Sequence, residues 1–283
     1  MANRTSRYVR VAQLAYEVSK KNLPLYSHLK SPHRFTLPQL NACVLLMFYL
    51  DLSYRDMEEW LWATDQVRHV LDLTVVPDHT TLYRAVKRWR RPQLDQLQHT
   101  LLCELQVQEA VIALDTTGYR PTQASLHYLA RSGRTRLGFV KGGYAVGTQS
   151  QLLLGAVQGI GPAADSPLLN SLRRQAHRYG RSRHGRATWL LLGDAGLDGR
   201  QVRPSDLIPP VRRNGRPHRG IRRQRWEAVS AARLDGIYGQ RWKCETVHSV
   251  IKRKFGDTIR ARKPSQRRRE PIVKALIYNI HVL

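Results

Sequence analysis

Cysteine is scarce in this sequence of 283 residues, and long apolar runs are absent. Its three cysteines, Cys43, Cys103 and Cys244, are far apart, so they offer neither a disulfide framework nor a CxxC zinc pattern. The longest apolar run, residues 43–50, is far shorter than the roughly 20 residues that cross a bilayer, and no signal-peptide region precedes it. We therefore expect a cytoplasmic protein that has no membrane partner.

Acidic residues are also scarce, with 21 Asp+Glu against 47 Lys+Arg and a formal net charge of +26. The imbalance is concentrated in residues 111–283, which carry 33 basic and 10 acidic side chains. Arginine donates bidentate hydrogen bonds that suit phosphate, so this charge indicates nucleic acid as the partner, ahead of an anionic membrane surface. An RNA-binding or ribosomal protein would fit the charge too, although 42% hydrophobic content exceeds what a basic tail needs.

The first third of the chain has the apolar spacing of helices. Ser53 with Asp56 predicts one helix start, and Asp78 or Thr80 predicts another. We interpret residues 1–108 as a small all-helical DNA-binding domain. Its basic helix after residue 80 could be a recognition helix of the helix-turn-helix type or a solvated basic face.

Beyond residue 109 the pattern changes to short continuous apolar runs, which are typical of buried strands. The run "AVIALD" ends at Asp115, "TWLLLGD" ends at Asp194, and residues 166–180 read as a crossover helix. We predict strands at 126–132, 137–147 and 152–158 as well. Residues 109–283 are thus expected to form an α/β domain with an arginine-rich loop at 201–226.

Three carboxylates carry the candidate chemistry. Asp115 and Asp194 are each predicted at the carboxyl end of a central strand, where sites form in open α/β sheets, and Glu245 is on a predicted helix. Either aspartate could instead be a turn or N-cap residue. If all three converge, two Mg²⁺ ions, with Mn²⁺ as an alternative, would allow them to stay ionised and would activate a phosphodiester for attack.

Glu245 belongs to a polar stripe on that helix. At about 100° per residue, Tyr238, Arg241, Glu245 and Lys252 fall within a sector of about 60°. The simpler interpretation is an amphipathic surface helix in which Arg241 and Glu245 form an i,i+4 pair worth about 0.3 to 0.5 kcal/mol.

The same four residues reproduce the Tyr-x2-Arg-x3-Glu-x6-Lys signature, and they carry a family resemblance. The chain resembles bacterial insertion-sequence transposases of the DDE type, the families numbered four and five. The stretches "LDTTG", "GDAGLDG" and "ADSPLL" are similar to the family's two aspartate strands and the turn before its crossover helix, and "LSYRDMEEWL" and "VPDHTTLYR" to its N-terminal helical region. Leu197 replaces the family's common Tyr, and the short distance from Asp194 to Glu245 is closer to compact family five.

This resemblance implies an RNase H-like domain in which Asp115, Asp194 and Glu245 bind two metal ions and catalyse. The implied activity is a DNA transposase that binds terminal inverted repeats, cuts there and joins the ends to target DNA, working as a homodimer on two ends in the bacterial nucleoid. A stand-alone RNase H-like nuclease or resolvase, or a non-cleaving repressor, are the alternatives. Expected DNA contacts are Tyr238, Arg241, Lys252, Arg253, Lys254, Arg212, Arg213, Arg222 and Arg223.

Overall fold

A computed structural model describes residues 5–30, 32–121, 131, 139–161, 163–183, 186–211 and 220–283. The chain divides into two compact units, residues Met1–Gln106 with Leu276–Leu283, and residues Val107–Ala275. No helix among these residues has the length and apolar character needed to cross a membrane.

The first unit is helical throughout its described residues. Its six complete helices are α1 (Arg7–Asn22), α2 (Leu37–Tyr49), α3 (Tyr54–Trp62), α4 (Asp65–Val70), α5 (His79–Arg88) and α6 (Arg91–Glu104). The predicted caps are confirmed: Ser53 and Asp56 form a capping box at α3, and the Asp78 side chain accepts the Thr81 amide at α5.

The apolar run at 43–50 forms the centre of this unit. Every residue of α2 after Leu37 is buried, because the helix has apolar residues on all sides. Buried polar groups there are paired: the Asn41 amide donates to Ser19 Oγ at 2.7 Å, and Trp89 Nε1 donates to Asn41 Oδ1 at 2.7 Å. The single basic face of α5 lies opposite its buried Leu82 and Val86.

The second unit is built on a mixed five-stranded sheet, consistent with an RNase H-like fold. The strands β1 (Val111–Pro121), β2 (Val140–Gly147) and β3 (Leu153–Ile160) form an antiparallel meander. β6 (Leu190–Leu192) adds to β1 in parallel, which gives the order β3-β2-β1-β6, and β7 (Thr258–Ile259) pairs with the far end of β1. A separate two-stranded ribbon joins β4 (Ser182–Arg183) to β5 (Arg186–Ala187).

Among the helices that follow, the crossover helix and the helix that carries Glu245 contact strands of this sheet. The predicted crossover helix is present as α7 (Leu169–Ala176) with a 3₁₀ turn at each end, and its Leu172 packs beside Gly143 of β2. Next come α8 (Gly220–Leu234), α9 (Trp242–Phe255), α10 (Pro264–Arg267) and α11 (Glu270–Val282). The α9 helix ends at Gly256, whose φ of 81° is accessible to glycine without strain.

Two sequence predictions need correction or fall outside the described residues. The arginine-rich segment 201–226 is not one loop, because α8 begins at Gly220 and buries Arg225 and Val229. Arginine is a good helix former, so the arginine density hid this helix. The strand predicted at 126–132 lies almost entirely outside the described residues.

Candidate active site

Asp115 and Asp194 are brought together by two parallel strands. The sequence predicted Asp115 at the carboxyl end of its strand, but the residue lies inside β1. The strand continues to Pro121 because β2 and β7 supply hydrogen-bonding partners for the polar residues that follow Asp115. The parallel register pairs Ala113 with Leu192, and each aspartate follows its paired residue by two positions. Adjacent strands lie about 4.8 Å apart, so the segments that lead to Asp115 and Asp194 start next to each other.

The predicted polar stripe is divided between two elements. Tyr238 and Arg241 lie in a 3₁₀ helix, Tyr238–Arg241, and α9 begins only at Trp242. The prediction of one continuous α-helix from Tyr238 was therefore wrong, since the 3₁₀ turn rotates each residue further than 100°. Tyr238 is nevertheless at the site, because its hydroxyl donates to the Gly193 carbonyl at 3.0 Å, next to Asp194.

Arg241 links the first turn of α9 to β1. Its Nη2 donates to Glu245 Oε1 at 2.7 Å, and its Nη1 is 3.9 Å from Asp115 Oδ2. Glu245 itself is 60% exposed at the side chain. The i,i+4 pair that the sequence allowed is thus present, and its arginine also faces the strand carboxylate.

The pKa of Asp115 is affected by burial and by nearby charged groups. Burial raises its pKa to about 6, and the negative charges of Asp194 and Glu245 add to this, while the Thr116 amide at 2.9 Å and Arg241 oppose it. Burial and the neighbouring negative charges therefore disfavour the ionised form of Asp115. A positive charge placed among these oxygens would relieve both the desolvation and the repulsion.

His248 is a site residue that the sequence analysis missed. It lies one turn after Glu245 on α9, and its Nδ1 is 3.7 Å from Asp115 Oδ2. Burial, with the nearby charge of Lys252, lowers its pKa to about 4, so the ring is neutral at pH 7 and its contact with Asp115 is not an ion pair. Its i,i+3 spacing from Glu245 was the signal that could have identified it.

Asp165 adds a fourth carboxylate beside Asp194. It forms an ion pair with Lys141 of β2 just before α7. A Cβ atom on Gly196 would lie 3.3 Å from both Asp165 Oδ2 and Asp194 Oδ1, so the glycine lets the turn after β6 pass between the two carboxylates. The closeness of the two carboxylates explains why glycine occupies position 196.

An open cavity of about 410 Å³ adjoins Asp194. The cavity lies between the 3₁₀ helix Tyr238–Arg241 and α8. Its walls combine aromatic and cationic side chains with the carboxylate, and they include Asp194, Trp226, Ser230, Arg233, Tyr238 and Arg241. Such a lining suits a partner that has both aromatic rings and negative charge.

The cations predicted to contact DNA fall into different environments. Arg222 and Arg223 are engaged on α8, by Asp198 at 3.0 Å and by Glu227 at 2.8 Å, respectively. Lys252 Nζ lies 5.9 Å from the centre of the Tyr119 ring. Arg253 and Lys254 are in the last turn of α9, whereas Arg212 and Arg213 lie outside the described residues.

The carboxylate oxygens of Asp115, Asp194 and Glu245 are chemically suitable ligands for a hard divalent cation. Carboxylate oxygens are the ligands that Mg²⁺ and Mn²⁺ prefer, and Asp115 is destabilised by its acidic neighbours. Within the described part of the chain, however, no three His, Cys, Asp or Glu side chains are grouped closely enough to hold a metal ion. Arg241 contacts both Asp115 and Glu245, in the place where a cation would be expected.

Comparison with known proteins decides the family. The family model described as the transposase DDE domain matches residues 107–280. The chain belongs to the DDE transposase family. The family resemblance noted in the sequence is thus confirmed at this level, and the assignment to insertion-sequence families four or five stays a prediction. No curated protein and no solved structure gave a match.

The matched DDE domain contains the seven strands that the described residues of the second unit form, and the three carboxylates Asp115, Asp194 and Glu245. Membership supports a transposase-type enzyme that has DNA as its substrate. In this DDE transposase Asp115 lies in β1, Asp194 follows β6 by two residues, and Glu245 is in the first turn of α9.

Proposed function

We propose that this protein is a DNA transposase that binds the terminal inverted repeats of an insertion sequence, cuts the DNA there and transfers the freed strands to target DNA. The observation that carries the proposal is that Asp115 and Asp194 each follow a paired position of β1 and β6 by two residues, with Glu245 on a helix whose Arg241 neighbour contacts Asp115. This arrangement lies within the matched transposase domain.

In this proposal Asp115, Asp194 and Glu245 hold two Mg²⁺ ions, for which Mn²⁺ can substitute. When bound, such ions activate a water or 3′-hydroxyl nucleophile and stabilise the leaving oxygen of a phosphodiester. The raised pKa of Asp115 supports the assignment, because carboxylates that repel one another in a buried site are stabilised by a bound cation. Arg241 would have to share Glu245 and Asp115 with these ions.

The remaining residues of the site would position DNA. The Tyr238 hydroxyl is anchored on the Gly193 carbonyl, which fixes the ring at the mouth of the cavity beside Asp194. Arg233 lies 5.1 Å from the centre of that ring. A strand that enters this cavity would meet aromatic faces for its bases and guanidinium groups for its phosphates.

Phosphate contacts should dominate affinity, as the net charge of +26 indicates. Of the predicted contacts, Arg253 and Lys254 lie in the last turn of α9, among the basic residues at the end of that helix. Arg222 and Arg223 would have to leave their carboxylate partners. The helical first unit, with the basic face of α5, is proposed to read the inverted repeat.

The test is strand cleavage by Asp115→Asn and Asp194→Asn on a labelled duplex that carries the element's end, in Mg²⁺ and in Mn²⁺. We expect both variants to lose cleavage and to keep binding in Ca²⁺. Asp95→Asn is the control, because Asp95 forms an ordinary i,i+4 pair with Arg91 in the helical unit. Undiminished cleavage by Asp115→Asn would contradict the proposal.

One observation favours a second candidate, a non-cleaving repressor derived from a transposase. Arg241 neutralises Glu245 directly, and the described residues contain no ready metal cluster. Such a protein would bind the inverted repeats as tightly in the presence of a chelator as in Mg²⁺ and would never cut them. The repressor and the transposase are therefore distinguished by the cleavage assay, whereas both should bind the inverted repeats.

A further inference from the structure

His248 packs against the sheet beside Asp115. Its ring centre lies 5.4 Å from that of Tyr144, with an angle of 58° between the rings. Tyr144 is the ladder partner of Asp115 across β1 and β2. The Tyr144 hydroxyl is held by Tyr119 at 2.7 Å and by the Pro271 carbonyl at 3.0 Å, so the surface against which the imidazole packs is rigid.

The two oxygens of Asp115 have different neighbours. Oδ1 accepts the Thr116 amide at 2.9 Å. Oδ2 faces His248 Nδ1 at 3.7 Å and Arg241 Nη1 at 3.9 Å, both beyond hydrogen-bond distance. Of these two side chains only His248 is buried, with 9% of its side chain exposed.

The protonation of the imidazole determines which of its nitrogens can donate a hydrogen bond to Asp115. A neutral ring has one donor nitrogen and one acceptor nitrogen, and a carboxylate can only accept. His248 Nε2 is buried and has no hydrogen-bond partner among the described residues. Nδ1 is the nitrogen that faces Asp115 Oδ2, so it is the one that can donate to this carboxylate.

We propose that His248 is a positioning residue that donates Nδ1–H to Asp115 Oδ2 and so orients this carboxylate toward a divalent cation. The inference rests on the proposed metal-dependent function. The distance between His248 Nδ1 and Asp115 Oδ2 is 3.7 Å, so it has to shorten by about 0.7 Å to reach ordinary N–H···O geometry. Catalytic hydrogen bonds often shorten in this way when substrate binds. Hydrogen bonds of this kind around a ligand typically change metal affinity by about 10- to 100-fold.

The alternative is that His248 only fills space against Tyr144. Leu and Asn have nearly the same shape, but only Asn can donate a hydrogen bond. His248→Leu and His248→Asn therefore form a matched pair in which packing is held constant and the donor is varied. Val247→Ala, at the buried neighbouring position of α9, measures what a packing loss alone does to the site.

The experiment is Mn²⁺ binding to the full-length protein, followed by the electron paramagnetic resonance signal of free Mn²⁺, with thermal unfolding in metal-free buffer measured beside it. We expect His248→Leu to weaken Mn²⁺ binding by about 10- to 100-fold. His248→Asn should stay within a few-fold of the wild type, as should Val247→Ala. Cleavage should fall in the same order and recover at higher Mn²⁺ concentration.

The failures are distinguishable. If Asp115→Asn abolishes Mn²⁺ binding but His248→Leu binds like the wild type, the role of His248 is overturned and the metal site stands. If Leu, Asn and Val247→Ala weaken binding equally, packing explains the effect and the proposal is again overturned. If the wild type binds no more Mn²⁺ than Asp115→Asn does, the proposed function falls and this inference with it.

Discussion

Replacing Glu245 by glutamine separates a catalytic carboxylate from a surface ion pair. Glutamine keeps the length of the side chain and its helix propensity, and its amide oxygen can still accept from Arg241 Nη2, now at 2.7 Å. Only the negative charge is lost. With Glu245 60% exposed, the pair contributes at most about 0.5 kcal/mol, so the midpoint of thermal unfolding should move by no more than about 2 °C.

The expected effect on catalysis is much larger. If the charge of Glu245 helps to hold a metal ion, its removal should cost several kcal/mol of transition-state stabilisation, which is at least about 100-fold in the rate of strand cleavage. DNA binding in Ca²⁺ should be unchanged or slightly tighter, because an acidic group near phosphates only repels them. The assay is Mg²⁺-dependent cleavage of a labelled end duplex beside a binding titration.

Glu227 on α8 offers a matched control. It accepts from Arg223 Nε at 2.8 Å in an i,i+4 pair and is 52% exposed, so Glu227→Gln makes the same chemical change in a similar pair. Wild-type cleavage is expected of it. If Glu245→Gln and Glu227→Gln cleave equally well, Glu245 is a surface residue and the proposed triad is wrong.

Two further predictions concern the framework of the two units. Asp78→Ala should destabilise the protein by about 1 kcal/mol near pH 7, and Asp78→Asn should not, because Asn caps helices equally well. Since the hydrogen bond from Thr80 lowers the pKa of Asp78, its stabilisation is present above about pH 4 and lost at lower pH, so urea unfolding of the wild type and Asp78→Ala should converge in acid. Asp198→Ala should cost about 3 to 5 kcal/mol because it leaves Arg225, 4% exposed, without its partner at 2.7 Å, whereas loss of the half-exposed Arg222 should cost under about 1 kcal/mol in the same assay.

Local signals in the sequence predicted much of the fold. Continuous apolar runs located β1, which contains Asp115, and β6, which ends two residues before Asp194, because a strand buried on both faces has no polar alternation. Side-chain caps at Ser53 and Asp78 located two helix starts, because the capping hydrogen bond is made within four residues. Each of these features depends on interactions close in sequence.

Features that depend on tertiary contacts were missed. β1 continues past Asp115 because Arg120 and Pro121 pair with Thr258 and Ile259, which no local pattern reveals. The 3₁₀ turn at Tyr238 depends on its hydroxyl reaching the Gly193 carbonyl, 45 residues away. A count at 100° per residue therefore does not describe the geometry of Tyr238 and Arg241, which lie in the 3₁₀ turn.

Arg241 reconciles the two interpretations of the helix that follows it. The surface pair exists, since Arg241 binds Glu245, yet the same guanidinium faces the buried Asp115, whose pKa is raised by burial and by its acidic neighbours. A solitary surface pair would not extend from an exposed glutamate to a strand carboxylate. Because the positive charge lies between two acidic groups that would otherwise repel each other, Arg241 stabilises the cluster without a metal ion, and a bound cation would free the guanidinium for phosphate.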